Sequence, residues 1–264
     1  EMRRPAPTAP SAPADEQTPT RTAHPRRGAQ STNPTANTVS VPTPFNPTTR
    51  SGPRDVNQYS MLVQPVIPFE LNDEWNLITR TIVPLIDQND VPAKGLDESG
   101  LGDIVASQFF SPAEPTARGW IWGAGPVELL PTASDDMLGG EKWGIGPTAV
   151  ALKQVGPWTV GGLANHIWSG AGDDDRGDIQ ATVLQPFAAF VTPTKTTISL
   201  NTESTYDWNN ETWSVPVNAM VSQMLKLGPQ IFQVTVGARY WLDSPTNGAE
   251  GWGYRMQLTF LFPK

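Results

Sequence analysis

Apolar and polar residues alternate one by one through the last third of the chain. Over residues 197–208 one face carries Ile198, Leu200, Thr202, Ser204, Tyr206 and Trp208, and the other Thr197, Ser199, Asn201, Glu203, Thr205 and Asp207. Residues 252–262 repeat the pattern, with Trp252, Tyr254, Met256, Leu258, Phe260 and Phe262 against Gly253, Arg255, Gln257, Thr259 and Leu261. Side chains of a strand point alternately to opposite faces, so each segment is a two-faced β-strand. Both exceed the roughly 5–6 residues of an ordinary soluble strand and match the roughly 9–11 that a tilted strand needs to cross a bilayer. A greasy stripe with an aromatic at each end is what a membrane barrel turns towards lipid.

From Gln58 onward the same reading predicts eleven strands, over 58–70, 75–87, 101–111, 119–130, 143–155, 158–169, 178–192, 196–208, 212–227, 230–242 and 252–262. Their connections alternate in kind. Asn72-Asp73-Glu74, Gly156-Pro157, Pro193-Thr194-Lys195 and Gly228-Pro229 are tight, whereas 88–100, 131–142, 170–177 and 243–251 are longer and acidic; Asn209-Asn210-Glu211 is short in a long-loop place. Short turns on one side and long loops on the other mark an outer-membrane barrel with its turns in the periplasm. Single-chain bacterial barrels use an even strand number with both ends periplasmic, so one strand is required before Gln58. Residues 38–45 are the candidate, in spite of Pro42 and Pro44. The predicted fold is all-β: a transmembrane antiparallel up-and-down β-barrel of about twelve strands, within a range of ten to fourteen.

Composition changes this picture in three places. The mean hydropathy of -0.33 and 38% hydrophobic content look soluble, but the polar lumen face of a barrel dilutes hydropathy. No apolar run reaches the roughly 18 residues of a membrane helix. Residues 1–54 hold eleven of the 27 prolines and seven Arg against Glu1, Asp15 and Glu16, a net of +4, which leaves -12 of the total -8 on the remainder. Such a segment buries too little apolar surface to offset its ordering entropy. It reads as a disordered or extended tail ahead of a barrel domain over 55–264: a flexible leader, or an arm that docks a protein partner or an anionic polymer. Cysteine is absent, which suits an exported bacterial protein. An export signal would stand ahead of Glu1.

The chemistry to look for is the lining. The inward positions are Asn201, Glu203 and Asp207; Asn218, Ser222 and Lys226; Gln233, Thr235, Arg239 and Asp243; Arg255 and Gln257; with Arg80, Glu128 and Asp103 as additions. Glu203 and Asp207 are placed to oppose Arg239 and Arg255 across the bore. Such charges either cross-brace a filled barrel or form a constriction that selects solutes. Trp75, Trp143, Trp158, Trp168, Trp208, Trp213 and Trp252 fall at predicted strand ends, where amphipathic rings favour the membrane interface. The implied partners there are outer-membrane lipid and lipopolysaccharide.

Asp173, Asp174 and Asp175 are weak candidates for a metal site, because they lack the spacing of a calcium loop. With Asp90, Asp97, Glu98, Asp135, Asp136 and Glu141 they make an acidic outer rim that favours cations at the mouth. No cofactor is implied. There is no P-loop, Rossmann glycine signature or zinc spacing, and His166 with the nearby Ser169 lacks a nucleophile elbow. The chain therefore reads as a non-enzyme. The acidity of the barrel part argues against nucleic acid.

Several blocks also agree in order with a known family. They are Gln64-Pro65-Val66-Ile67-Pro68-Phe69, Leu71-Asn72-Asp73-Glu74-Trp75-Asn76-Leu77-Ile78, Gly102-Asp103-Ile104, Gly144-Ile145-Gly146-Pro147-Thr148, Val155-Gly156-Pro157-Trp158-Thr159-Val160-Gly161, Asn165-His166-Ile167-Trp168, 201–208 and Gly251-Trp252-Gly253. Over roughly 58–264 the chain resembles the bacterial outer-membrane transporter-like proteins grouped with the MetA pathway of phenol degradation. The resemblance implies an outer-membrane β-barrel without family-wide catalytic residues. The chain departs from that pattern at its Pro/Arg-rich start, where the family has a clear first strand.

These readings lead to a channel or passive transporter for small solutes. The rivals are a non-conducting structural barrel, plugged by side chains or by its own tail, and a soluble sandwich that would need no detergent. A homo-oligomer, or a protein partner held through the tail, is compatible with each membrane reading.

Overall fold

The computed structural model describes residues 38–51, 56–89, 97–246 and 248–263. They form β1 (Thr38–Ser51), β2 (Val56–Val63), β3 (Val66–Glu70), β4 (Trp75–Gln88), β5 (Glu98–Leu101), β6 (Ile104–Pro112), β7 (Trp120–Leu130), β8 (Lys142–Val155), β9 (Trp158–Gly172), β10 (Gln180–Val191), β11 (Thr196–Thr202), β12 (Ser204–Asp207), β13 (Thr212–Ser214), β14 (Pro216–Leu227), β15 (Gln230–Trp241) and β16 (Gly251–Pro263). β2 with β3, β5 with β6, β11 with β12 and β13 with β14 are single staves with short breaks. The molecule is a closed antiparallel barrel of twelve staves with no helix among the described residues. The ring closes where β1 pairs with β16, from Thr38 opposite Pro263 to Thr48 opposite Gly253.

The required first strand is β1, and its prolines are placed where they do least harm. The Pro42 carbonyl accepts from Gln64 N at 2.9 Å, so the backbone polar groups of Pro42 and Pro44 face the β2–β3 stave. That stave is broken there, at Gln64-Pro65, and the missing N–H groups remove no bond from the closing seam. β1 takes residues 38–51 out of the segment read as a tail. The disordered-or-extended reading of 1–37 lies outside the described residues.

Tight turns behave as their residues demand. Val155 pairs with Trp158 across Gly156-Pro157, and Leu227 with Gln230 across Gly228-Pro229. Gly156 and Gly228 take φ of 58 and 57, and proline then fixes the next φ, which is the type II′ hairpin turn.

The outer surface is apolar. Ile145, Ile198, Leu200, Val221, Val236, Met256 and Phe260 all lie exposed along the staves. Aromatic rings bound this band. Trp158 and Trp168 face outward ten residues apart on β9. At about 3.3 Å per residue and a tilt of about 40° they stand roughly 25 Å apart along the barrel axis, the height of the apolar band of an outer-membrane barrel.

Candidate lumen site

The interior carries the site, and it has two unlike halves. β4 and β6–β9 send in Ile78, Phe109, Val127, Val150, Leu152, Leu163 and Ile167, all buried; four of them, Ile78, Phe109, Val127 and Leu152, are 0% exposed. Val66, Ile78, Phe109, Val150 and Leu163 form one cluster, so this side of the bore is packed like the core of a soluble protein. β1 and β14–β16 send in Ser40, Asn46, Asn218, Ser222, Gln233, Thr235, Arg239, Arg255 and Thr259, also buried.

The polar half is held by one carboxylate. Glu203, in the break between β11 and β12, accepts from Arg239 Nη2 at 2.6 Å and from Arg255 Nη1 and Nη2 at 2.7 Å each. The Nε groups of the two arginines donate to Asn218 Oδ1 at 2.6 Å and Asn46 Oδ1 at 2.7 Å. Asn218 in turn donates to Asn201 Oδ1 at 2.8 Å. Thr235 Oγ1 lies 2.9 Å from Ser222 Oγ, two inward positions further along the same pair of staves. With side chains only 10% and 4% exposed, Arg239 and Arg255 are cations out of bulk water that need these acceptors. Arg239 also lies 5.4 Å from the Trp241 ring.

Register corrects the predicted geometry in several places. β11, β15 and β16 stand on one arc of the wall, so Glu203 meets Arg239 and Arg255 along the wall and not across the bore. The residue opposite Glu203 is Arg80, whose stave lies six away in either direction. Asp207 takes no part. Its carboxylate accepts from the N–H of Asn209 and Asn210 and from Asn210 Nδ2, capping the 208–211 turn. Lys226 lies at the exposed end of β14, one residue from Leu227, outside the network. Asp103 serves the 131–140 loop, accepting from Thr132 N, Ala133 N and Gly140 N. Asp243 follows the end of β15. Glu128, read as lumenal, pairs in register with Ile145, which is 60% exposed on the outer face. It points outward and accepts from Gln108 Nε2 at 3.0 Å.

The seven predicted tryptophans, Trp75, Trp143, Trp158, Trp168, Trp208, Trp213 and Trp252, are all exposed. The reading missed Trp120 and Trp122, also exposed on the outside; their spacing of two over the Gly119 turn was the available signal. Asp173, Asp174 and Asp175 do not converge. Asp173 Oδ1 caps its own turn through Asp175 N at 2.8 Å. Among the described residues no three carboxylate or imidazole groups gather to hold a metal ion. The acidic rim also contains cations: Arg176 reaches Glu141 at 3.2 Å and donates to the Asp136 and Gly139 carbonyls, clamping two loops together, while Lys142 pairs with Asp178 at 3.4 Å. Asp90 lies outside the described residues. His166 is on the outer side of β9, its Nδ1 2.6 Å from Thr182 Oγ1, and the Ser169 hydroxyl turns away to Ile179 N at 2.8 Å.

A cavity of about 150 Å³ lies between the two halves. Arg80, Glu203 and Arg255 line it with Gln64, Gln185 and Gln257, and Val66, Val150, Leu163 and Phe187 supply its apolar side.

This architecture is that of outer-membrane β-barrels. The chain is similar to an outer-membrane channel of Pseudomonas putida F1, with a TM-score of 0.64 and 17% identity over 85% of this chain and 94% of that one. It is also similar to outer membrane phospholipase A of Escherichia coli, with a TM-score of 0.51 and 11% identity over 84% of this chain and 89% of that one. No family model matches the chain, and no curated protein does. The second neighbour overturns the non-enzyme reading: this fold also houses a phospholipase. Nucleophile elbows and P-loops sit on strand-to-helix turns of α/β folds, so their absence from a barrel excludes no chemistry that a barrel can carry.

Proposed function

We propose that this chain is an outer-membrane β-barrel that passes small solutes through its lumen by passive diffusion, with both ends of the barrel chain on the periplasmic side. The observation that carries the reading is the lined cavity at the centre of a closed barrel, beside a charged network that leaves room in the bore. The outer surface supports the membrane location, because its apolar band and rings fit a bilayer with lipid and lipopolysaccharide at the interface. The likeness to an outer-membrane channel agrees with this reading. The finer kinship with transporter-like proteins of phenol metabolism rests on the sequence blocks alone.

Purified full-length protein inserted in a planar bilayer is expected to give steady, small single-channel steps. Silence after insertion has been confirmed by protection from external protease would overturn the reading. One observation favours a non-conducting structural barrel: half of the bore is filled by fully buried apolar side chains. The same recording decides between the two.

A further inference from the structure

We propose that the central cavity is a subsite for a small amphipathic monocarboxylate, whose apolar body of about six carbons lies on Val66, Val150 and Leu163 while its carboxylate meets Arg80. This rests on the channel reading and names the solute class of that same lumen.

Charge is the first part of the argument. Three guanidinium groups, Arg80, Arg239 and Arg255, face this part of the bore against one carboxylate, Glu203, a formal sum of +2. Glu203 spends both oxygens on Arg239 and Arg255. Arg80 donates to a neutral acceptor, Gln64 Oε1, at 2.8 Å. Among the described residues no carboxylate is within ion-pair reach of it. A cation withdrawn from bulk water calls for an anion. A guanidinium presents a planar fork that a carboxylate matches with two parallel bonds.

Position and size supply the rest. Arg80 pairs in register with Val66, and Val66 belongs to the buried cluster with Ile78, Val150 and Leu163. The Arg80 guanidinium, held by the neutral Gln64 amide and in contact with no carboxylate, therefore stands at the edge of an apolar wall, and the same cavity touches both. The cavity measures about 150 Å³. An apolar protein cavity of about that volume holds a six-carbon ring. An inorganic anion would leave the wall wet, a cationic amine would meet the surplus positive charge, and a neutral solute would leave Arg80 without an anion at contact distance. An acid with a short apolar body satisfies all three conditions.

The test uses the full-length protein in a planar bilayer under a potassium chloride gradient, with hexanoate, acetate and hexylamine as probes. The reversal potential is expected to favour chloride over potassium. Hexanoate is expected to reduce the chloride current, acetate to need at least about ten-fold more because it lacks the buried methylenes, and hexylamine to act no better than acetate. Arg80→Gln is expected to weaken the hexanoate effect about ten-fold or more. Arg80→Lys keeps the charge but not the fork, and is expected to retain chloride preference while losing part of the hexanoate effect. Leu163→Ala is expected to weaken hexanoate and leave acetate unchanged. Cation preference, or equal action of hexanoate and acetate, would overturn the subsite and leave the channel standing. An inserted but silent protein would overturn the channel reading alone. Calorimetric titration of the detergent-solubilised barrel with hexanoate then decides the subsite: binding lost in Arg80→Gln supports it, and no binding by the unaltered protein overturns it.

Discussion

The two halves of the bore solve the same problem by opposite means. Each must fill the inside of a barrel whose outside is already apolar. Across β4 and β6–β9 the filling is apolar and closed to water, with Ile78, Phe109, Val127 and Leu152 all 0% exposed. Glycine lets these staves approach closely: a Cβ at Gly146 would stand 1.7 Å from the His166 carbonyl oxygen. Across β1 and β14–β16 the filling includes two arginines and two asparagines, joined by the Glu203 carboxylate from the neighbouring β11–β12 stave. Apart from Arg80 at its edge, the apolar half needs only volume. The polar half needs every donor matched, because an unmatched buried charge costs more than the network contributes. On the channel reading proposed above, charge selection therefore belongs to the polar half and to Arg80, which faces it from β4, and bore width to the apolar side chains.

Substitutions can break that division. The largest effect is expected from Glu203→Ala, which strands two buried guanidinium groups. Loss of one partner of a buried pair costs about 3–5 kcal/mol, read as a lower urea midpoint for loss of tryptophan fluorescence. Leu152→Ala in the other half is expected to cost about 2–5 kcal/mol by leaving a cavity. It should raise single-channel conductance while leaving the reversal potential where it was; a shifted reversal potential would merge the two halves. Asn218→Ala removes the acceptor of Arg239 Nε and is expected to cost about 1–3 kcal/mol, with a change in ion selectivity rather than in conductance. The smallest effect lies outside both halves. Partial desolvation, helped by Asp136, holds the Glu141 carboxyl above the usual carboxylate range in spite of Arg176 at 3.2 Å. The folded state thus binds that proton more tightly than the unfolded chain. Its contribution is complete below the ordinary carboxylate pKa and is lost as pH rises through the raised one. Amide exchange of the 131–141 loop, corrected for intrinsic rates, is expected to speed up over that rise, and Glu141→Gln should flatten the difference.

Alternation was enough to read the staves. Every predicted segment from 58–70 to 252–262 lies on one, and counting parity placed a strand at 38–45 in spite of its prolines. Asn201, Glu203, Asn218, Arg239 and Arg255 were legible as inward for the same reason. Facing was less legible where both sides of a strand are apolar. In β7 the inward set holds Gly123, Gly125 and Val127, and the one charge, Glu128, is on the outside, so a rule that sends charge inward fails there. Partnership was not legible at all. Whether two inward residues meet depends on how far apart their staves stand around the ring, which a local pattern does not contain. Asp207 could have been recognised, since an aspartate two residues before Asn209 is the signature of a side-chain-capped turn.

The seam between β1 and β16 has a kinetic consequence. Thr43 Oγ1 donates to the Leu258 carbonyl at 2.6 Å across 215 residues of chain, whereas the other neighbouring staves follow one another in sequence and are joined by a local turn or loop. Loop-closure entropy grows only as the logarithm of length, so this pairing costs about 2 kcal/mol more chain entropy than a fifteen-residue hairpin. That is a small thermodynamic charge and a large delay. Eleven of the twelve stave pairings can zip locally, but the ring waits for its two most distant strands to meet, and until then the edges of β1 and β16 remain open to any other strand.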